Sequence, residues 1–288
     1  MIIPTLARMI VREHLYKPIQ GRLLTLGRQT IAMNYYQVQE LFKQEGYSPH
    51  QDVINKLEVA LDQSTRLGRG KGYISDQFFF ELLGIKELYV LDVSKYEGCN
   101  IVHNLNKPVP DSFYGQFDFI IDGGTFDHLF DIKTCFENVV RMLKPNGRIF
   151  QWNAASNFSG AAYISFGPDL FYDFFVLNQF ADCKVYIAEV DSFAQKENWD
   201  LYEFQGLYEY DHFLSSRIQM VVVLAEKSPQ STCYRFPVQA QYRDDFLWEP
   251  YKGGKARIDL STRKSLSSSK SYKPVSKKLR GFKYIGCI

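Results

Sequence analysis

Long apolar runs are missing from this 288-residue chain. Nothing approaches the roughly 20 consecutive apolar residues of a membrane-spanning helix, and no positive region followed by a cleavable apolar segment opens the sequence. Neither a membrane span nor a secretory leader is expected. Cysteine is scarce and scattered: Cys99, Cys135, Cys183, Cys233 and Cys287 form no CxxC and no Cys/His zinc spacing. A disulfide framework and a metal site are therefore not expected, and free thiols in a reducing, cytoplasmic compartment are. GxGxxG is also missing, which argues against a dinucleotide pyrophosphate cradle. Finally, acids are missing from Arg263 to Ile288, which carry eight basic residues, whereas residues 1–262 hold 26 basic and 32 acidic residues for a net charge of −6. An acidic body argues against nucleic acid as a partner, although the basic tail can touch an anionic one.

The composition itself, 45% hydrophobic and 16% aromatic, supports a sizeable folded core. Helical spacing covers the residues up to Tyr16, Met33 to Phe42, Val53 to Leu61, a short segment that Asp76 caps and Gly84 ends, and Pro168 to Phe180. Between Phe117 and Lys144 the pattern is clearest. Ile132, Cys135, Phe136, Val139, Val140 and Leu143 form one apolar stripe, and Lys144-Pro-Asn-Gly147 is expected to end that helix. Strands are expected at Arg22 to Gly27, Glu87 to Val93, Asn100 to Leu105, Phe117 to Ile121, Arg148 to Trp152, Lys184 to Val190 and Ile218 to Ala225. Their βαβ alternation predicts an α/β fold with a mostly parallel sheet. After Lys227 the rhythm is lost, and the Ser/Lys/Tyr run from Ser265 to Lys278 reads as an extended tail.

Ligands of open α/β sheets bind outside the carboxyl ends of the strands, and four such ends carry suitable chemistry. Gly27 lets the backbone approach a ligand and Arg28 can meet a carboxylate, or the pair simply makes a turn facing solvent. Asp92, with Val93 beside it, can accept both hydroxyls of a ribose, or can cap the turn at Ser94. Asn104 and Leu105 can meet an adenine edge and face, or form a plain turn. Asp122, Gly123 and Gly124 open a loop whose glycines permit close approach, and His128 follows as the general-base candidate because imidazole titrates near neutrality. Alternatively Asp127 caps the next helix and His128 bonds within the loop. Trp152 and Asn153 end the fifth strand where substrate would lie.

Taken in order, LYVLDV, HNLNKPVP, FDFIIDGGTFDHLFD and VVRMLKPNGRIF resemble the second to fifth strands of a class I S-adenosylmethionine-dependent methyltransferase. The resemblance spans roughly residues 21–226. It implies a Rossmann-like seven-stranded sheet, S-adenosylmethionine as cofactor, and methyl transfer to an oxygen or nitrogen of a small-molecule or sugar-like acceptor. By it, Gly27 and Arg28 stand at the first glycine loop, and Asp92 and Val93 at the ribose. Asn104 and Leu105 stand near adenine, and Asp122, Gly123 and Gly124 at the methionine side. His128 is the first candidate base and His212 the second. Residues 1–226 would be the methyltransferase-like domain and 227–288 a basic C-terminal extension.

Two features depart from the family. The first loop reads LTLGRQT, and Asp92 lies far beyond the roughly 20-residue spacing of a compact nucleotide-binding unit. Residues 45–75 would be an insertion, whose LGRGKG stretch folds over the site, offers cations to an anionic acceptor, or is a surface turn. The altered loop also leaves open a non-catalytic, methyltransferase-like binding or scaffold protein.

Overall fold

A computed structural model describes residues 1–49, 53–54, 58–191, 199–206, 212–239 and 281–288. In chain order the elements are α1 (Pro4–Tyr16), β1 (Arg22–Leu26), α2 (Tyr35–Glu45), α3 (Asp76–Leu82), β2 (Glu87–Asp92), β3 (Ile101–Val102) and β4 (Phe117–Asp122). Then follow α4 (Ile132–Met142), β5 (Leu143–Ser156), α5 (Pro168–Leu177), β6 (Asp182–Val190), β7 (Trp199–Phe204), β8 (Ile218–Glu226) and β9 (Phe282–Cys287).

All the strands join one sheet of order β3-β2-β1-β4-β5-β8-β6-β7-β9. β3, β2, β1, β4 and β5 pair in parallel, and β8, β7 and β9 pair antiparallel with their neighbours. The α/β expectation holds, but the sheet has nine strands rather than seven. One added strand, β7, lies between two expected ones. The other, β9, is made by the last residues of the basic segment, which return to pair with β7. The Ser265 to Lys278 run and residues 55–57 of the expected Val53 to Leu61 helix lie outside the described residues; residues 53–54 are helical, but 58–61 are not, Leu61 instead forming an antiparallel bridge with Ile74.

Helices cover both faces. On one, Leu6 and Ile10 of α1, Leu41 and Phe42 of α2 and Phe79 of α3 pack against Leu23, Phe119, Ile121 and Phe150. On the other, Cys135, Phe136 and Val139 of α4 and Phe171, Phe174 and Phe175 of α5 pack against Leu24, Ile120, Ile149 and Val223. Alternation along each strand thus feeds two cores, as a sheet buried on both faces requires. The stripe predicted for α4 is this packing face, except that Leu143 begins β5. The helix ends at Met142, before Lys144-Pro145, because a residue preceding proline is driven out of the helical region. β3 is shorter than expected: Asn104 Oδ1 accepts from Asn106 N at 3.0 Å and turns the chain out of the strand.

Capping explains where the helices start. Asn34 and Gln37 form a reciprocal capping box on α2, and Asp131 accepts from Thr134 N at 3.0 Å on α4. The cap of α3 is Ser75 rather than Asp76, whose carboxylate turns inward to Arg28 and Gln29.

α1 is tied to the sheet by a fully buried ion pair between Glu13 and Arg148, whose guanidinium also donates to Lys17 O at 2.7 Å. Removing one partner strands a buried charge. Glu13→Ala should therefore cost about 3–5 kcal/mol of unfolding free energy in a urea titration, and adding Arg148→Met should recover most of that loss.

Candidate functional site

The parallel strands β1, β2 and β4 deliver their carboxyl ends to one edge, and the site is built there. Gly27 follows β1 with φ +74°, a left-handed conformation that favours glycine, and its N–H donates to Leu91 O at 2.8 Å. An ideal Cβ at this position would lie 3.5 Å from Thr125 Oγ1 and 3.9 Å from Asp92 Oδ2. The ends of three strands thus converge on Gly27.

Gln29 braces the turn, its Nε2 donating to Leu26 O and Gly27 O at 3.2 Å each. A Cβ on Gly123 would collide with the Gln29 amide, so the Asp122-Gly123 backbone passes close only because it is glycine. Arg28 is less available than its position suggested. Its guanidinium pairs with Asp76 Oδ1 at 3.0 Å, while its buried Nε has no hydrogen-bond partner.

Asp92 accepts from Ser94 N with Oδ1 at 3.3 Å, and its Oδ2 lies toward Gly27. The turn-capping reading of this acid is thus seen at Oδ1. Val93 next to it is exposed. Asn104 is half-buried beside Asn106, which accepts from Phe130 N and Asp131 N at 2.9 Å each and so links the loops after β3 and β4. Leu105 is buried in the core beneath α4. Trp152 is likewise buried, tilted against Phe150 at 5.2 Å.

Asp122 sits fully buried at the end of β4. It accepts from Thr125 N at 2.7 Å and from Asn153 Nδ2 at 2.9 Å. Burial pushes its carboxyl up to about 7 despite those two donors, and the nearby Asp127 adds to the rise. Asn153 completes the chain by accepting from Asp127 N at 3.2 Å.

Asp127, passed over in the sequence except as a helix cap, is the hub of the loop. Its Oδ2 accepts from Ala154 N at 3.0 Å, and its carbonyl accepts from Tyr163 N at 2.8 Å and Ile164 N at 3.1 Å. Burial raises its carboxyl also. Its position between Phe126 and His128 was the only sequence signal. The cap of α4 is instead Asp131.

His128 is exposed, with Nε2 3.8 Å from Asp127 Oδ1. His212 is exposed in the segment before β8, which runs antiparallel to β5 and so starts at the same edge. The amino group of Met1 lies against this region and donates to Gln29 Oε1 at 3.2 Å; burial lowers it to about 6, with Asp122 and Asp127 opposing.

Residues 61–75 cross this edge. Thr30 Oγ1 donates to Thr65 Oγ1 at 2.7 Å, and Arg66 N donates to Glu97 Oε1 at 2.6 Å. The segment therefore spans the loops after β1 and β2, and leads through the left-handed Gly70 and Gly72 into α3. Among the described residues no cluster of His, Cys, Asp or Glu could hold a metal ion, and no helix is long and apolar enough to cross a membrane.

Residues 65–151 match a family model described as a methyltransferase domain. The match starts inside the 61–75 crossing and includes its glycines, and Gly72 precedes Asp92 by 20 residues. No curated protein matches the chain. Among solved structures it is similar to 1,6-didemethyltoxoflavin-N1-methyltransferase of Burkholderia thailandensis, at 12% identity, 78% of each chain and a TM-score of 0.38. It is similar also to a SAM-dependent methyltransferase of Archaeoglobus fulgidus, at 12% identity, 78% of this chain, 94% of that one and a TM-score of 0.38.

The Asp122 carboxyl gives a stability signature. Its value of about 7 in the fold lies above the ordinary carboxylate, so the folded state holds this proton more tightly than the unfolded chain. The stability it contributes is complete below about pH 4 and is lost as pH rises to about 7. In urea midpoints measured across that window, Asp122→Asn should decline less steeply with pH than the parent.

Proposed function

We propose that this chain is a class I S-adenosylmethionine-dependent methyltransferase that moves the cofactor's methyl group to an oxygen or nitrogen of a small-molecule or sugar-like acceptor. The observation that carries the site assignment is the meeting of Gly27, Asp92 and the Asp122–Gly124 loop at one sheet edge, where Gly27 and Gly124 take left-handed conformations and Gly123 packs on the Gln29 amide.

The cofactor supplies an electrophilic methyl on a sulfonium. In this reading Asp92 Oδ2 accepts from a ribose hydroxyl, while its Oδ1 stays on Ser94 N and holds the carboxylate in place. Asn104 lies near the adenine end; Leu105 supports that turn from the core rather than covering the ring. Gly123 and Gly124 pass beside the methionine end, held by the Asp122–Asn153 pair. Arg28 fixes the loop through Asp76, and its unpartnered Nε is what it has left to offer a carboxylate. Residues 61–75 close the cleft from the β1 and β2 sides.

Transfer needs alignment of acceptor, methyl and sulfur, and a base only where the acceptor must lose a proton. His128 suits the role of that base, because it is exposed at the edge, with Nε2 3.8 Å from Asp127 Oδ1. His212 is the second candidate, exposed on the segment that enters β8. The acidic body favours a small acceptor over a polyanion, and a cytoplasmic location accords with sparse cysteines that form no disulfide.

Isothermal titration should show binding of S-adenosylmethionine and of its demethylated product but not of NAD. Asp92→Ala should weaken that binding roughly tenfold or more, the loss expected for one charge-assisted hydrogen bond. Equal binding of NAD, or an unchanged Asp92→Ala, would sink the assignment. A scaffold protein would bind neither cofactor form. Trypsin cleavage at Arg66, Arg69 and Lys71 should slow when the cofactor is added, and equal rates with and without it would remove residues 61–75 from the cleft.

A further inference from the structure

The loops of the carboxyl edge carry an apolar and basic rim, and we propose that this rim docks the protein on an anionic lipid surface. β1, β2, β4 and β5 are parallel, so the loops that follow them emerge together. The antiparallel β8 brings the residues before Ile218 to the same edge, where Asn157 Nδ2 donates to Ser215 O at 2.8 Å. Residues 61–75 join through Thr65 and Arg66.

On these loops Leu67, Val93, Tyr96, Phe130, Tyr163 and Leu214 are exposed, the last three at 89%, 83% and 87%. Single exposed apolar residues are ordinary. Six on the loops of one edge form a rim around the cleft, the pattern of an interaction surface.

The charges match. Arg66, Arg69, Lys71, Lys95 and Lys107 are exposed on the same loops, and among the described residues none of them makes an ion pair with an acid. Of the acids on these loops, Asp62 and Asp127 are buried, Asp92, Glu97 and Asp131 are half-buried, and Asp191 pairs with Arg217 at 2.6 Å. The exposed cations thus stand outermost on a body whose residues 1–262 have a net charge of −6.

Cations beside aromatic and aliphatic side chains suit the headgroup–acyl boundary. Lysine and arginine meet anionic headgroups there, and tyrosine and phenylalanine sit at the level below. A nucleic acid would use the cations and stack on the rings, but would leave Leu67, Val93 and Leu214 without a partner. This docking is independent of the methyl-transfer reading, since it needs the rim and not the cleft.

The test uses the full chain and vesicles of phosphatidylcholine, with and without phosphatidylserine, in a flotation assay. Binding should be roughly tenfold stronger with phosphatidylserine at physiological salt and should fall steeply at about 0.5 M salt. The triple variant Phe130→Ser/Tyr163→Ser/Leu214→Ser and the charge variant Arg69→Glu/Lys71→Glu/Lys95→Glu should each lose roughly tenfold of it with unchanged circular dichroism. If the apolar variant fails to fold, the charge variant, confined to exposed loop side chains, carries the test alone. Three results would overturn the proposal: no flotation of the parent, equal flotation with pure phosphatidylcholine, or variants that float like the parent, which would hand binding to the basic segment from Arg263 onward. Binding of a single-stranded RNA oligonucleotide without vesicle binding would overturn it in favour of nucleic acid.

Discussion

The buried Asp122 carboxylate organises the carboxyl edge of the sheet. It terminates β4 with no exposed surface, and it is held by one backbone donor from its own loop and one side-chain donor from β5. A carboxylate in that setting must be satisfied or protonated. The Asn153 amide does more than satisfy it. Its other end accepts from Asp127 N, so two loops and two strands are registered through one side chain. The close pass of Gly123 over Gln29, the position of Thr125 against Leu26 O, and the seating of Tyr163 and Ile164 on the Asp127 carbonyl all follow from where that carboxylate sits.

The layered architecture was legible in the chain because period-2 and period-3.6 patterns report burial directly. The α4 stripe and the apolar runs of β4 and β8 needed no other information. Boundaries were less legible where local chemistry overrides periodicity. The Lys144-Pro145 pair moved the end of α4 back to Met142, and the Asn104 turn cut β3 to two residues. β9 was illegible because pairing, not pattern, makes it a strand: the sequence there is basic and glycine-bearing, and only β7 gives it a partner.

At the site, residue types at strand ends were readable and their partners were not. Asp92 and the Asp122–Gly124 loop lie where their positions after apolar runs placed them. Arg28 could not be read, since the acid that claims it, Asp76, is 48 positions away in sequence. Asp127 was overshadowed by the adjacent His128, whose chemistry is more conspicuous. Of the two glycine features, Gly27 reads as the first loop and the 68–72 run as part of an insertion. In space they are consecutive parts of one edge, the first leaving β1 and the second leading into α3, with α2 interposed between them.

β3 is only two residues long and lies at the outer edge of the sheet, whereas β5 and β8 pair over most of their length at its centre. Cooperative protection against amide exchange grows with such pairing, so the two halves of the cleft differ in local free energy of opening. The Asp122 side rests on the most protected strands. The Asn104 side rests on the shortest one, so the loop after β3 should open more readily than the loop after β4.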